Sequence, residues 1–422
     1  MIHIDIPKDV GYILKSIRNA GFEAYAVGGC VRDCLLKKEP KDWDITTSAL
    51  PQQVKEIFLK TVDTGIKHGT VTVPVHGIGY EVTTYRVDGE YLDGRHPENV
   101  SFTSRLDEDL KRRDFTINAF VYNEETGIID LFGGLEDLKN GIIRCVGEPE
   151  ERFGEDALRI LRAVRFAAVL GFDIEQKTYA AAEKLAGLLS KVSSERIKAE
   201  IDKIFLSDNP GHICLLKELG LENVILPEFS AFPQAEKNDL KLILENSPKE
   251  LSVRWAVFFY ALHRSGAEEN AAVNIMHRLK FDNRSRDRIL KFLRTVEMPL
   301  PKAEDPAFRT GVRRLINILG KDDITDYISF CSALSMVYED LLNDYPALFN
   351  EIRSIFDNKE CTSLKELEIN GKDILALGNV SGTVVGETLK KLLDKVLEQP
   401  EFNNKAGLIS LAEQILKENL CG

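Results

Sequence analysis

Asp42 and Asp44 flank Trp43 and introduce the run Ile45-Thr46-Thr47. Side chains two apart on a strand point to one face. Two carboxylates held there repel unless a cation lies between them. Hard divalent ions want such oxygen donors, and Mg²⁺ typically takes one or two carboxylates and completes its shell from phosphates. Taken alone, the pair is equally a polar strand end. The run Glu81-Val82-Thr83-Thr84-Tyr85-Arg86 places Glu81, Thr83 and Tyr85 on one strand face. A carboxylate on a strand beside Asp42 and Asp44 would complete a three-carboxylate site. It could ligate metal or accept a proton from an attacking hydroxyl. Its plainer role is as cross-strand partner of a basic residue.

Groups suited to the opposite charge surround this acidic set. Gly28-Gly29-Cys30-Val31-Arg32-Asp33 follows an apolar strand and opens a helix. Two glycines let backbone N–H groups approach an anion closely, and Arg32 could add a charge-assisted contact. Neither a dinucleotide fingerprint nor a P-loop is present, and a Gly-Gly pair alone is also just a turn. Lys111-Arg112-Arg113-Asp114-Phe115-Thr116-Ile117-Asn118-Ala119 offers phosphate donors and partners for ribose hydroxyls, or simply local ion pairs at a helix start.

In Glu155-Asp156-Ala157-Leu158-Arg159-Ile160-Leu161-Arg162-Ala163-Val164-Arg165, helical spacing makes Asp156 and Arg159 neighbours. One reading is a surface ion pair. The other concerns bases. Cytosine and adenine each present an amine donor beside a ring-nitrogen acceptor, whereas uracil and guanine present the reverse. A carboxylate accepting from the amine, with a guanidinium donating to the ring nitrogen, fits C and A. It leaves unpaired groups against U and G, a costly mismatch. Arg162 and Arg165 extend the basic row toward a triphosphate.

The elements that must position these residues change character near residue 150. Before it, Tyr25–Val27, Val71–Val75, Tyr80–Val87, Ile117–Tyr122 and Ile142–Val146 read as strands. Val10–Ala20, Val31–Lys37 and Pro51–Phe58 read as helices between them. The segment from Asp88 to Ser104 reads as a mobile loop between strands. After Glu148 almost every apolar repeat is helical, as in Leu158, Leu161 and Ala168. The apolar run Trp255–Leu262 fits a buried helix, and Pro299, Pro301 and Pro306 mark a break.

The 422 residues are 44% hydrophobic and 29% charged, which fits a globular chain and not a disordered one. No apolar stretch approaches the roughly 20 residues that span a bilayer. Met1 to Val10 does not read as a signal peptide, and the expected location is the cytoplasm. Seven irregularly spaced cysteines point to reduced thiols, without the partners of a zinc site. The net charge of −12 argues against a uniformly basic coat for nucleic acid, though it says nothing of local patches. One such patch is Arg278, Lys280, Arg284, Arg286, Arg288, Lys291 and Arg294, which reads as a solvated helix face or a phosphate-contacting surface.

In chain order the motifs run G-G-x-V-R-D, D-x-D, E-V-T-T-x-R and R-R-D-F-T-I-N-A. Then come Asp130-Leu131-Phe132-Gly133-Gly134-Leu135-Glu136-Asp137-Leu138 and E-D-A-L-R-x-x-R. The series resembles the class II CCA-adding enzymes, bacterial tRNA nucleotidyltransferases of the polymerase β superfamily. Tyr91-Leu92-Asp93-Gly94-Arg95-His96-Pro97 and Asn370-Gly371-Lys372-Asp373-Ile374 resemble segments of the Bacillus-type branch. The strong match spans residues 22–170; beyond them only length and helical character are similar.

The resemblance implies an α+β multidomain fold. A polymerase-β-like nucleotidyltransferase head of mixed sheet and helices (1–147) would precede an all-helical neck (148–205), body (206–300) and tail (301–422). It implies two-metal nucleotidyl transfer with Mg²⁺ on Asp42 and Asp44, and Glu81 as a third catalytic carboxylate. The implied nucleotide-binding set is Gly28, Gly29, Arg32, Arg113, Asp114, Asn118, Asp156, Arg159, Arg162 and Arg165. The implied substrates are CTP, ATP and the tRNA 3′ end, with Arg278, Lys280, Arg284, Arg286, Arg288 and Arg294 as RNA contacts. Monomer and homodimer both stay open. Sibling activities share the same head: CC addition, A addition or poly(A) synthesis. A non-catalytic RNA-binding relative is disfavoured by intact Asp42, Asp44 and Arg113. An antibiotic nucleotidyltransferase is disfavoured by the long helical portion. No His-Asp dipeptide occurs, so the phosphohydrolase domain of some relatives is not expected.

Overall fold

A computed structural model describes residues 3–89, 100–338, 345–378 and 380–421. It divides into two compact units, Met1–Pro233 with His277–Lys280, and Gln234–Met276 with Phe281–Gly422. No helix among the described residues is long and apolar enough to cross a membrane.

The first unit holds all of the seven-stranded sheet. Its strands are β1 (Ala24–Val27), β2 (Asp44–Thr47), β3 (Val62–Gly65), β4 (Thr70–Val75), β5 (Ile78–Thr84), β8 (Phe120–Asn123) and β9 (Gly127–Asp130), and a short hairpin of β6 (Arg86–Asp88) and β7 (Val100–Phe102) stands apart. The sheet order is β3-β4-β5-β2-β1-β8-β9. β1 lies inside it, and all four of its residues are buried, as a continuous apolar run predicts. It runs antiparallel to both neighbours, with Ala26 opposite Ile45 on β2 and Val27 opposite Val121 on β8. The end of β1 therefore meets the starts of β2 and β8, so three motifs distant in sequence share one edge of the sheet. β2 and β5 pair in parallel, with Asp44 opposite Glu81. Helix α1 (Lys8–Asn19) closes the sheet by burying Val10, Ile13, Leu14 and Ile17, one stripe at helical spacing. Helices α2 (Gly29–Leu35), α3 (Pro51–Ile57), α4 (Leu106–Lys111) and α5 (Gly134–Asn140) complete this part.

Three strand expectations need correction. Tyr80–Val87 is interrupted at Tyr85. That residue is fully buried, its N–H bonds Thr47 and its carbonyl accepts from Thr103, so the chain passes from the sheet to the hairpin there. Ile117–Tyr122 begins as a 3₁₀ turn, Thr116–Asn118, before β8. Local side-chain bonds compete with extended backbone, and Asn118 donates to Asp114. Ile142–Val146 forms a named strand only over β10 (Ile142–Ile143), which joins β11 (Asp173–Ile174), while Cys145 makes an isolated bridge to Phe115. The hairpin β6–β7 supplies both ends of the segment expected to be a loop. Residues 90–99, and with them Tyr91–Pro97, lie outside the described residues.

Among the described residues after 148 the elements are helical apart from β11. Helix α6 (Pro149–Glu155) stops at Asp156, and α7 (Leu158–Leu170) starts anew. A continuous helix through Asp156 and Arg159 is thus corrected. Asp156 is extended (φ −136°, ψ 102°) and its Oδ1 accepts from Leu158 N at 3.1 Å, the work of a capping side chain. Helices α8 (Gln176–Lys184) and α9 (Ser194–Phe205) follow. In the second unit, the helix Leu251–Arg264 buries every residue from Ser252 to Leu262, as its apolar run predicts. Trp255 packs edge-on against Phe258 and Phe281. The proline-marked break falls between the helices Asn283–Val296 and Phe308–Leu319.

Candidate active site

The turn after β1 needs glycine. Gly28 has φ +76°, and a Cβ built there would stand 3.1 Å from Arg113 Nη1. A larger residue would push the guanidinium away and add backbone strain. Arg32, one turn into α2, is 8% exposed. Its Nη1 donates to Asn118 Oδ1 at 2.6 Å, and its Nε and Nη2 donate to Asp33 Oδ1 at 2.9 and 2.7 Å. Gly28, Gly29, Arg32, Arg113 and Asn118 are therefore one cluster.

Asp44 opens β2, whereas Asp42 precedes the strand, so strand alternation is not what brings the two together. Solvent reaches Asp44, yet the protein around it displaces enough water to hold its carboxyl above the usual range. Arg113 pulls it down and Asp42 pushes it further up. Glu81 is exposed on β5, in register with Asp44. Among the described residues, no three His, Cys, Asp or Glu side chains gather closely enough to hold a metal ion as a closed cluster. The two aspartates fit a cation that draws its other ligands from a substrate. They are hard oxygen donors, and the repulsion between them is a charge that a divalent ion would compensate.

Beside this edge lies a cavity of about 250 Å³, lined by Arg112, Arg113, Asp114, Asp156, Leu158, Arg159, Arg162 and Arg196. Seven of these come from the two motifs read as nucleotide contacts. Asp114 is 9% exposed. It accepts from Phe115 N at 2.8 Å, Asn118 Nδ2 at 3.1 Å and Arg162 Nε at 2.9 Å. Burial alone would raise its pKa. The charge and hydrogen bonds of Arg162, with those of Asn118 and Phe115 N–H, overcome that and hold it well below the carboxylate range. The Arg159 N–H donates to the Asp156 carbonyl at 3.0 Å, but the two side chains bond other partners. Asp156 Oδ2 accepts from Arg196 Nη2 at 2.9 Å. Arg159 donates to Glu155 at 2.6 Å and to the carbonyls of Arg152 and Arg112 at 3.1 and 2.9 Å. Each is held from behind while facing the cavity. Arg165 is drawn away: its Nε lies 2.7 Å from Glu200 on α9, and its guanidinium stacks on Phe166 at 3.8 Å. That Nε–carboxylate contact has ion-pair distance but not hydrogen-bond alignment. Burial lowers the Arg165 pKa to about 10, against the opposing charge of Glu200.

The Asp130–Leu138 motif is scaffolding. Asp130 accepts from the N–H groups of Gly134 and Leu135 at 2.9 and 2.8 Å. Asp137 accepts from Thr116 Oγ1 at 2.6 Å and from Arg144 at 3.1 Å. A Cβ on Gly134 would stand 2.2 Å from the Thr116 carbonyl oxygen. Helix α5 thus docks on the 3₁₀ turn that carries Asn118. Sequence reading missed Asp109, Glu155, Arg196 and Glu200. Asp109 and Glu155 stand at helical spacing from Arg112, Arg113 and Arg159 and could have been found. Arg196 lies far along the chain from Asp156, and no spacing rule joins them.

The basic row near residue 280 is divided between the two units. Arg278 pairs with Glu228, and Lys280 with Glu195, all in the first unit. Arg284–Arg294 belong to the helix Asn283–Val296 of the second unit. There Arg288 is bound by Glu250, Asp323 and Asp326. Arg284 and Arg294 are exposed, and Arg286 is half-buried.

Three family models match the chain in series: a poly A polymerase head domain over residues 24–144, an RNA and SrmB-binding site of polymerase A over 171–232, and a tRNA nucleotidyltransferase domain 2 over 247–412. The CCA-adding enzyme of Ligilactobacillus salivarius is 39% identical, covering 97% of this chain and 96% of that one. That of Leuconostoc mesenteroides is 35% identical, covering 97% of each. The crystal structure of the Bacillus stearothermophilus CCA-adding enzyme in complex with CTP superposes with a TM-score of 0.78 at 32% identity, covering 98% of this chain and 97% of that one. Nucleotidyltransferases of this kind typically need a divalent metal. With such identity over nearly its whole length, and with the head motifs gathered on one sheet edge and cleft, the chain belongs to the CCA-adding enzyme family.

Proposed function

We infer that this protein adds C, C and A in turn to the 3′ end of tRNA, using CTP and ATP and releasing pyrophosphate. The observation that carries the reading is the cavity where Asp114, Arg113 and Arg162 meet Asp156 and Arg159 beside the Asp42–Asp44 edge. Phosphate, sugar and base groups would all find partners there, with no template strand.

The chain's own residues divide the work. Gly28 and Gly29 offer backbone to the triphosphate, and Arg32 and Arg113 face its charge. Asp114 and Asn118 would meet the ribose hydroxyls, and Asp114 also fixes Arg162. A carboxylate oxygen accepts more than one hydrogen bond, so Asp156 can keep Arg196 and still receive the exocyclic amine of C or A. Arg159, fixed by Glu155 and two carbonyls, donates to the ring nitrogen. Uracil and guanine would place donor against donor and acceptor against acceptor. Asp42 and Asp44 would hold Mg²⁺, which when bound lowers the pKa of an attacking hydroxyl and offsets charge developing on the phosphates. The tRNA 3′ oxygen forms a bond to the α-phosphorus as the bond to the pyrophosphate oxygen breaks. Glu81, in register with Asp44, is the proposed third carboxylate and proton acceptor.

In this reading the head spans 1–147, the neck 148–205, the body 206–300 and the tail 301–422, and the enzyme works in the cytoplasm. Arg165 supports α7 through Glu200, and the exposed Arg284 and Arg294 are the best placed RNA contacts of their row. The test offers each labelled nucleotide separately, with Mg²⁺, to tRNAs ending before CCA, after C and after CC. Addition of C, C and A followed by a stop supports the reading. Addition of A alone to the CC end, or long A tails, replaces it with a sibling activity; no transfer removes it.

A further inference from the structure

Most charged groups lining the cleft have roles in this mechanism, but one buried charge beneath them has none. Asp109, on α4, is fully buried. A carboxylate out of water is costly unless its charge and lone pairs are matched. Those of Asp109 are matched from four places. Its Oδ1 accepts from Arg112 Nε and Nη2 at 3.0 and 2.7 Å and from Arg86 N at 3.4 Å. Its Oδ2 accepts from Thr46 Oγ1 at 3.2 Å and from Arg113 Nη2 at 3.5 Å.

Each donor stands one step from the chemistry. Thr46 lies two residues beyond Asp44 on β2. Arg113 is the guanidinium against Gly28. Arg112 gives its carbonyl to Arg159 Nη2 at 2.9 Å. Arg86 opens β6. Arg112 and Arg113 carry like charges side by side, and the anion between them keeps them from splaying. Among the described residues, Asp109 is the carboxylate that hydrogen-bonds Arg113, whose Nε is buried without a partner. The aim of Arg113 therefore depends on Asp109.

We propose that Asp109 is a positioning residue that sets the Asp44 strand, the phosphate-facing Arg113 and the base-reading Arg159 in a common register. The proposal deepens the nucleotidyl-transfer reading and rests on it. Asp109 touches no substrate and acts through Arg112, Arg113 and Thr46.

The test uses the full chain. Asp109→Asn keeps the shape and one acceptor oxygen, enough for the Thr46 side or the Arg86 side but not for both, and removes the charge between the arginines. KM for CTP and ATP should rise on the order of tenfold with a smaller change in kcat, as expected when binding common to ground and transition states is lost. The Kd for CTP by equilibrium dialysis should rise by a similar factor, and UMP incorporation should increase. Melting is followed in parallel. A folded Asp109→Asn protein with unchanged KM, Kd and fidelity overturns the proposal. So does lost activity that tracks the unfolded fraction while KM stays fixed. Should Asp109→Asn fail to fold, Thr46→Val decides, because it removes the hydroxyl shared between Asp109 and the Thr83 carbonyl without stranding a charge. A roughly threefold weaker CTP affinity supports the proposal, and unchanged affinity overturns it. Should the unsubstituted protein transfer no nucleotide yet bind CTP more tightly than Asp109→Asn, the transfer reading fails and the positioning role stands.

Discussion

Asp114 shows how a residue can serve fold and site at once. It lies under the cleft with Arg162, Asn118 and the Phe115 N–H around it, and its pKa is held low. A depressed native value means that its stabilisation is complete above the unfolded carboxylate value of about 3.9 and is lost as pH falls below that toward the native value. Asp114→Asn should cost about 3 kcal/mol at pH 7, because it strands Arg162 beside a neutral group. Urea unfolding at pH 7 should show that gap, and the gap should shrink at the acid end of the native range. A gap that does not change with pH would assign the loss to packing instead. For Asp156→Ala or Arg159→Ala, discrimination against UTP and GTP should fall by about 1–3 kcal/mol while CTP is still used, read as ratios of kcat/KM. Unchanged discrimination would remove them as base readers. Most residues facing the cleft were legible in sequence because hydrogen-bonding chemistry and motif order point to them. The carboxylates and arginine behind them, Asp109, Glu155 and Arg196, were not read. Helical spacing points to Asp109 and Glu155, whereas Arg196 meets Asp156 across 40 residues of chain, and only the folded chain shows that.

At the scale of elements, helix and strand types were readable where burial on one or both faces imposed a period, as in α1, β1 and the helix Leu251–Arg264. Breaks were harder to read. Tyr85, Asn118 and Asp156 each end or bend an element through a specific tertiary or side-chain bond, and periodicity contains no sign of it. Asp156 shows why such breaks gather at the site. A residue inside a helix would have its surroundings filled by the next turn, whereas the gap between α6 and α7 leaves its carboxylate room to face the cavity. The Asp130–Leu138 turn has the complementary duty of holding the 3₁₀ segment still. Gly134→Ala should therefore act on both stability and nucleotide binding. Its methyl cannot coexist with the Thr116 carbonyl 2.2 Å away, and overpacking of this kind costs about 1–3 kcal/mol. Thermal unfolding should report the loss, and CTP affinity should fall with it as Asn118 shifts. A destabilised variant with unaltered affinity would separate α5 from the site.

At the scale of the whole molecule the charge of −12 has to be reconciled with an RNA substrate. The reconciliation lies in which charges are spent internally. In the proposed function Asp42 and Asp44 would hold a cation, while many other carboxylates are occupied by arginines: Glu155 by Arg159, Glu200 by Arg165, and Asp323 and Asp326 by Arg288. Counting basic residues in a window therefore overstates what is available to phosphate, and the row near residue 280 can be divided by experiment. Arg284 and Arg294 are exposed. If they meet phosphates, replacing each with alanine should weaken tRNA binding for every sequence alike. Each should also reduce the slope of log K against log salt by about 0.7–0.9, the contribution of one neutralised phosphate. Arg288 should behave otherwise. Its three carboxylate partners come from elsewhere on the second unit, so Arg288→Ala leaves Glu250, Asp323 and Asp326 without their shared cation. That variant should lower the melting temperature and leave the salt slope unchanged. Filter binding across a salt series, with melting curves on the same samples, separates the two behaviours. Equal slopes for all three variants and the unsubstituted protein would remove Arg284 and Arg294 as RNA contacts.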